Sequence, residues 1–327
     1  MDLQSLIKEL ERQKPLKWDE KIPSSEIKMV LAENEPRFQI KAKEPLPINN
    51  SCHTQIAEKL EIPVKYYNRM KEEAPELLAQ NVNAWLERNG KDYFIRGIGN
   101  SIRAFLSDRY RVIDHLDVLM CALNELQTHE TEIEDCYLSE IEMNIKVKSQ
   151  KLRDFVRHKD DLIVGGIFLT NSETGHKALR VEPRLFRVKC SNGLIIEELV
   201  TREIHIGNDD EVFDELIYLS LRRSIRELFS KFGEIIQVLR ESSEIKVKNP
   251  QKMISNVVEH YRLSETQRDN ILMAFGAEPE CDKYGIANAL TLAAQKEETW
   301  EKAVEMERIA GHLITLPIEE FKAMDGS

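Results

Sequence analysis

The 327-residue chain has few of the residues that punctuate or staple a protein: 13 glycines, 11 prolines and 5 cysteines. Glycine and proline this sparse exclude a collagen-like, linker-rich or low-complexity chain. The cysteines stand at 52, 121, 136, 190 and 281 with no C-x-x-C pair. That indicates neither a zinc ribbon nor a disulfide framework, and points to reduced thiols. No apolar run approaches the ~18–20 residues that span a bilayer. Residues 1–18 are amphipathic and charged where a signal peptide would carry an apolar core. A cytoplasmic protein without membrane contact is expected. The phosphate-loop, G-x-S-x-G and H-E-x-x-H motifs are missing, and the eight histidines share no metal-ligand spacing. These absences predict no metal, no cofactor and no catalytic residue, so an enzyme is the third-ranked expectation. The nearest approach to catalytic chemistry is Glu140 and Glu142 with Lys146 beyond, whose spacing departs from the Glu-x-Lys of metal-dependent nucleases.

What is present is a globular composition, 42% hydrophobic and 31% charged. The length suits two domains, or one with large appendages. The formal net charge of −11 argues against indiscriminate nucleic-acid binding by the whole surface, but the charge is segregated. Residues 146–190 carry eleven Lys and Arg against five acids, a local net of +6, whereas 278–307 hold eight acids against three Lys. Segregation of this kind hints at partners.

The hydrophobic period divides the chain into three. Residues 1–90 are expected to be mostly helical, with a short strand at 37–42 in a proline-punctuated stretch. Residues 53–70 read either as a helix-turn-helix, with Glu61 where glycine usually turns the chain, or as a two-helix packing unit without DNA contact. Residues 91–207 shift to period two. They predict a hairpin about Gly99-Asn100, a helix over 116–126, strands at 141–148, 162–170 and 177–190, and a further strand around Val200, Ile204 and Ile206. The segment 171–175 reads as a turn. Residues 208–327 are helical again. They begin with an amphipathic helix of about 30 residues at 211–240, which either crosses the sheet or pairs with another chain in a homo-oligomer. Helices follow near 250–261, 265–275, 284–296 and 299–313, with Gly276, Pro279 and Gly311 as boundaries. The expected fold class is α+β: a central antiparallel sheet with helical N-terminal and C-terminal parts.

The basic stretch supplies the candidate site: Lys146, Lys148, Lys151, Arg153, Lys177, Arg180, Arg184, Arg187 and Lys189. In a strand, residues two apart share a face, so Lys146 and Lys148 point together, as do Arg187 and Lys189. Two such strands side by side would present a flat basic surface, with Tyr137 and Phe186 nearby for base stacking. Cations for phosphate beside aromatics for bases are what single-strand binding requires.

The stretches 103–119, 178–183, 186–196 and 284–295, followed by Trp300 and Ala310-Gly311, together resemble the phage- and plasmid-borne family known as domain of unknown function 932. Arg187, Cys190, Ser191, Asn192 and Gly193 form the most specific element, and 288–291 (Asn-Ala-Leu-Thr) supports it. The resemblance implies a mobile-element protein and assigns no catalytic residue. On the residues alone, Ser191-Asn192-Gly193 reads as a turn and Cys190 as a buried thiol. The leading expectation is a non-catalytic, DNA-associated protein that binds single-stranded nucleic acid through the basic sheet. The alternative is a host-interaction or defence-countering protein that binds another protein, through its acidic helical C-terminal part.

Overall fold

The computed structural model describes residues 1–158, 160–189, 192–196, 201–203 and 211–325. Cys190, Ser191, Val200, Ile204 and Ile206, named above, lie outside the described residues, as do Lys159 of the basic stretch and His205 of the eight histidines. The first third runs α1 (Leu3–Gln13), β1 (Lys17–Pro23), β2 (Ile27–Ala32), β3 (Glu35–Ile40), β4 (Leu46–Pro47), α2 (Asn50–Lys59), α3 (Val64–Glu73), α4 (Pro75–Asn89), β5 (Asp92–Ile98) and β6 (Ser101–Ser107). The middle holds α5 (His115–Leu126), β7 (Thr131–Leu138), β8 (Met143–Phe155), β9 (Leu162–Asn171), β10 (Leu179–Arg187), β11 (Asn192–Ile195) and β12 (Thr201–Glu203). The remainder is α6 (Glu211–Ser230), α7 (Phe232–Glu244), α8 (Pro250–His260), α9 (Glu265–Ala277), α10 (Lys283–Ala294), α11 (Trp300–Thr315) and α12 (Ile318–Asp325). The class is α+β with antiparallel sheets, as expected.

The N-terminal third contains more strand than its periodicity predicts. β2, β3 and β4 form one small sheet, and β1 pairs with β5, which pairs with β6, in another. The hairpin about Gly99-Asn100 forms as expected, with Gly99 at φ +55. It joins β1 rather than the central sheet. Gly97 is required by close approach, since a Cβ there would fall 2.0 Å from the Trp18 indole. α2 and α3 form at the suspected two-helix unit, and Glu61 takes φ +57 in the turn between them.

The central sheet has the order β11-β10-β9-β8-β7, with β12 also on β10. Its register places Ile145, Val147, Ile167, Leu169 and Val181 on one face. α5 and α6 cover that face, burying Ile217, Leu221, Ile225, Leu228 and Phe229 against it. The expected single helix at 211–240 is two, α6 and α7, broken at Lys231. Beyond the break Phe232, Ile235, Ile236 and Leu239 join a second core with Ile163, Leu185 and Leu194. Gly165 makes room there, because a Cβ at this position would meet the Phe232 ring at 2.5 Å. The sheet thus covers the long apolar stripe within the chain. Leu216 and Leu219, placed on that stripe by periodicity, are exposed instead. The four later helices appear where expected. Gly311 is no boundary: it lies inside α11, where a Cβ would stand 1.7 Å from the Ile195 carbonyl oxygen of β11.

Candidate functional site

The opposite face of the central sheet carries the polar residues of the alternation. Across β8, β9 and β10 the rows are Asn144, Thr170 and Arg180; then Lys146, Phe168 and Glu182; then Lys148, Gly166 and Arg184. Lys146, Lys148, Arg180 and Arg184 therefore share a face, as the strand period predicts. That face is not an open platform. α11 lies over it, and the charges are matched beneath. Lys146 Nζ donates to Glu307 Oε1 at 3.0 Å, and Arg184 Nη2 lies 3.4 Å from the same oxygen. Arg184 also pairs with Glu134 of β7, which takes Lys148 at 2.7 Å. Arg308 of α11 donates to Glu182 of β10 at 2.6 Å. Burial holds the Lys146 ammonium below the usual lysine range, with Glu307 opposing the shift. Burial alone would raise the Glu134 carboxyl, but Arg184 and Lys148 outweigh it and the group stays low.

The aromatics expected to stack on bases are spent in the same layer. The Lys148 ammonium sits 3.3 Å from the Phe186 ring centroid, and Tyr137 stacks on Trp300 at 5.3 Å. Lys146 stands over the Trp300 ring at 4.4 Å. Cation–π contacts of this kind add to the ion pairs of the layer.

The remaining candidates scatter. Arg187 lies on the other face, its Nε 2.6 Å from Asp161 and its Nη1 2.6 Å from Glu278. Lys189 pairs with Glu278 at 3.1 Å. Lys151 pairs with Glu130. A register shift in β8 between Lys148 and Arg153 carries Lys151 off the row and leaves Arg153 exposed opposite Val164. The basic stretch and the acidic stretch, read as two separate surfaces, are in part each other's partners: Lys146 and Arg184 with Glu307, Arg187 and Lys189 with Glu278, and Arg157 with Glu280 and Asp282.

Three candidates escape this neutralisation among the described residues: Arg153, exposed and apart, and Lys177 and Arg180, which are neighbours. Lys177 is exposed just before β10, and Arg180 is half-buried on it. Among the described residues neither has a carboxylate partner, and the Arg180 Nε is buried without an acceptor. Both line a cleft of about 460 Å³ between the sheet and α11. Its floor holds Asn144, Thr170 and Phe168, and its far wall carries Glu301, Glu305 and Arg308 of α11. Thr170 Oγ1 donates to Asn144 Oδ1 at 2.7 Å, which fixes the floor. Glu142, just before β8, completes the rim.

A second charged cluster has no counterpart in the sequence reading. The segment 171–175, expected to be a surface turn, is buried from Asn171 to Thr174. Glu173 accepts from the His115 backbone N–H at 2.7 Å and pairs with Lys17 of β1 and with Arg103 of β6, the latter at 2.7 Å. Arg96 of β5 donates to the Glu173 carbonyl at 2.8 Å and holds Asp19 and Asp114. Burial alone would raise the Glu173 carboxyl, but His115 once protonated, together with the Arg103 and Lys17 charges, keeps it well below its usual range. This cluster fastens the N-terminal strands to the central sheet. Among the described residues no group of histidine, cysteine or acidic side chains could hold a metal ion. No helix there is long and apolar enough to cross a membrane.

Asn192 and Gly193 are not a turn. Both lie in β11, paired with Arg187 and Phe186 of β10, and a Cβ on Gly193 would fall 2.3 Å from the Arg184 guanidinium. The Asn192 side-chain amide donates to Thr291 Oγ1, so the two motif stretches touch. Close packing, not turn geometry, explains these residues.

The family model for the Domain of unknown function (DUF932) matches residues 104–305, and the chain belongs to that family. No curated protein and no solved structure matches it.

Proposed function

We propose that the protein binds single-stranded nucleic acid, and that it does so through Lys177 and Arg180 in the cleft between β10 and α11. The observation that carries this reading is the contrast within one layer. Lys146, Lys148, Arg184 and Arg308 each have a carboxylate, whereas Lys177 and Arg180 have none among the described residues. A half-buried guanidinium with an unmet donor is costly unless a ligand supplies the acceptor, and phosphate suits it. A cytoplasmic phage or plasmid setting belongs to the same reading; the mobile-element part rests on the sequence resemblance and the compartment on the cysteine pattern. It accords with four described cysteines that are all unpaired.

The test is fluorescence anisotropy of labelled oligonucleotides at low salt. Binding should be lost in Lys177→Glu/Arg180→Glu at unchanged melting temperature. Retained affinity in that variant would remove the reading.

Attachment to another protein is a second reading. It draws on α4, where Leu77 and Trp85, both 45% exposed, lie eight residues apart on one face. Of the acids of the C-terminal part, Glu278, Glu280, Asp282 and Glu307 are engaged internally and do not serve it.

A further inference from the structure

The walls of the cleft carry opposite charge. Lys177 and Arg180 stand on the sheet side. Glu301 and Glu305, one turn apart on α11, stand on the other, with Glu142 at the rim. Arg308 is tied to Glu182 and does not offset them. The hydroxyl of Tyr137 bonds Glu301 and, as the largest influence, holds its carboxyl low, so this wall is anionic at neutral pH. A continuous strand has a phosphate at every nucleotide, and threading it through the cleft would set successive phosphates against both walls. A volume of about 460 Å³ has room for little more than one nucleotide.

Resting on the nucleic-acid reading above, we propose that the cleft is a seat for a single terminal nucleotide. Its phosphomonoester faces Lys177 and Arg180, and the amino or hydroxyl donors of its base and sugar face Glu301 and Glu305. A terminal phosphomonoester carries close to two charges at neutral pH against one for an internal diester, and it offers an additional acceptor oxygen to the guanidinium. The floor adds a polar pair, Asn144 and Thr170, beside the apolar Phe168. A free nucleoside monophosphate presents the same chemistry as a phosphorylated strand end, so the proposal covers both sources.

The experiment compares four probes on the full chain: a linear oligonucleotide with a terminal phosphate, the same oligonucleotide without it, a covalently closed circle of the same sequence, and a nucleoside monophosphate as competitor. The phosphorylated linear strand should bind at least about tenfold more tightly than the circle, a difference of ~1.4 kcal/mol. The monophosphate should displace it. In Glu301→Gln/Glu305→Gln the circle should gain affinity and approach the linear strand, because the repelling wall is gone. Equal affinity for circle and phosphorylated end overturns the terminal seat while leaving strand binding intact. Monophosphate binding without any oligonucleotide binding upholds the seat and removes the strand-binding reading. Loss of phosphate preference in Arg180→Gln supports the seat, whereas preference unchanged in that variant overturns it.

Discussion

Lys146 Nζ lies 3.0 Å from Glu307 Oε1, joining the middle of the sheet's polar face to the helix that covers it. Both side chains are buried, and Arg184 reaches the same carboxylate. Taking Glu307 away would leave the buried Lys146 without a counter-ion and Arg184 with Glu134 alone. Glu307→Ala should therefore lower unfolding free energy by about 3–5 kcal/mol in urea titrations. Replacing the pair together by Lys146→Met and Glu307→Leu should recover a large part of that loss, because a buried ion pair is weak in net terms while a half-pair is costly.

The same layer predicts what charge reversal does. Arg184→Glu would set a carboxylate against Glu134 and Glu307, so Lys148→Glu/Arg184→Glu should fail to fold cooperatively by calorimetry. Arg180→Gln, by contrast, removes a buried donor without an acceptor. Its melting temperature should equal or exceed the wild type. The two variants sit on one face of one sheet and should behave in opposite ways.

The Glu173 cluster predicts an acid limb in stability. Burial pushes the His115 imidazole down to about 4. Its Nδ1 accepts from Asn171 Nδ2, whose orientation is fixed by a second bond to the Ile113 carbonyl, so a proton on Nδ1 would displace that donor. Below the unfolded value near 6.5 the unfolded chain takes up the proton first. Stability is therefore full above about 6.5 and is lost as pH falls toward about 4, by up to ~3 kcal/mol. Glu173, whose carboxyl is held low, extends the loss below its ordinary value of 4.5. Chemical denaturation from pH 7 to pH 4 should show this slope, and His115→Gln should flatten it. A stability flat across that window would contradict the assignment.

The backbone approach at Gly311 predicts a steric cost independent of charge. A Cβ there meets the Ile195 carbonyl oxygen at 1.7 Å, and backbone cannot yield as a flexible side chain does. Gly311→Ala should lose about 1–3 kcal/mol or more, read from urea midpoints. Gly276→Ala, with nothing within 4 Å of the added carbon, should be neutral or stabilising within its helix.

The elements were legible where one period runs long enough to be read. β8 alternates apolar and polar residues from Met143 to Lys148, and α8 and α11 each carry a 3.6-residue stripe. β1 and β2 were hidden because their burial is irregular between prolines. The shared face of Lys146, Lys148, Arg180 and Arg184 follows from strand periodicity. That Glu307 and Glu134 neutralise it does not, since both partners are distant in sequence and only register brings them in. The segregation of charge was itself the available signal: a +6 stretch and an acidic stretch in one chain of net −11 can pair with each other as well as with outside partners. Glu173 was missed for a related reason. Asn-Ser-Glu-Thr-Gly has the composition of an exposed turn, and only the arrival of Lys17, Arg103 and Arg96 makes its burial affordable.

The measurement closest to the central claim is the salt dependence of oligonucleotide affinity in the wild type and in Arg180→Gln. Each phosphate neutralised on a single strand contributes ~0.7 to the log–log slope. If the cleft cations are the site, the wild-type slope is about 0.7–1.4, set by one or two contacts, and Arg180→Gln lowers it. A slope of about 3 or more that Arg180→Gln leaves unchanged, and that falls instead in Lys151→Gln/Arg153→Gln, would contradict the account and return the binding surface to the open end of the sheet.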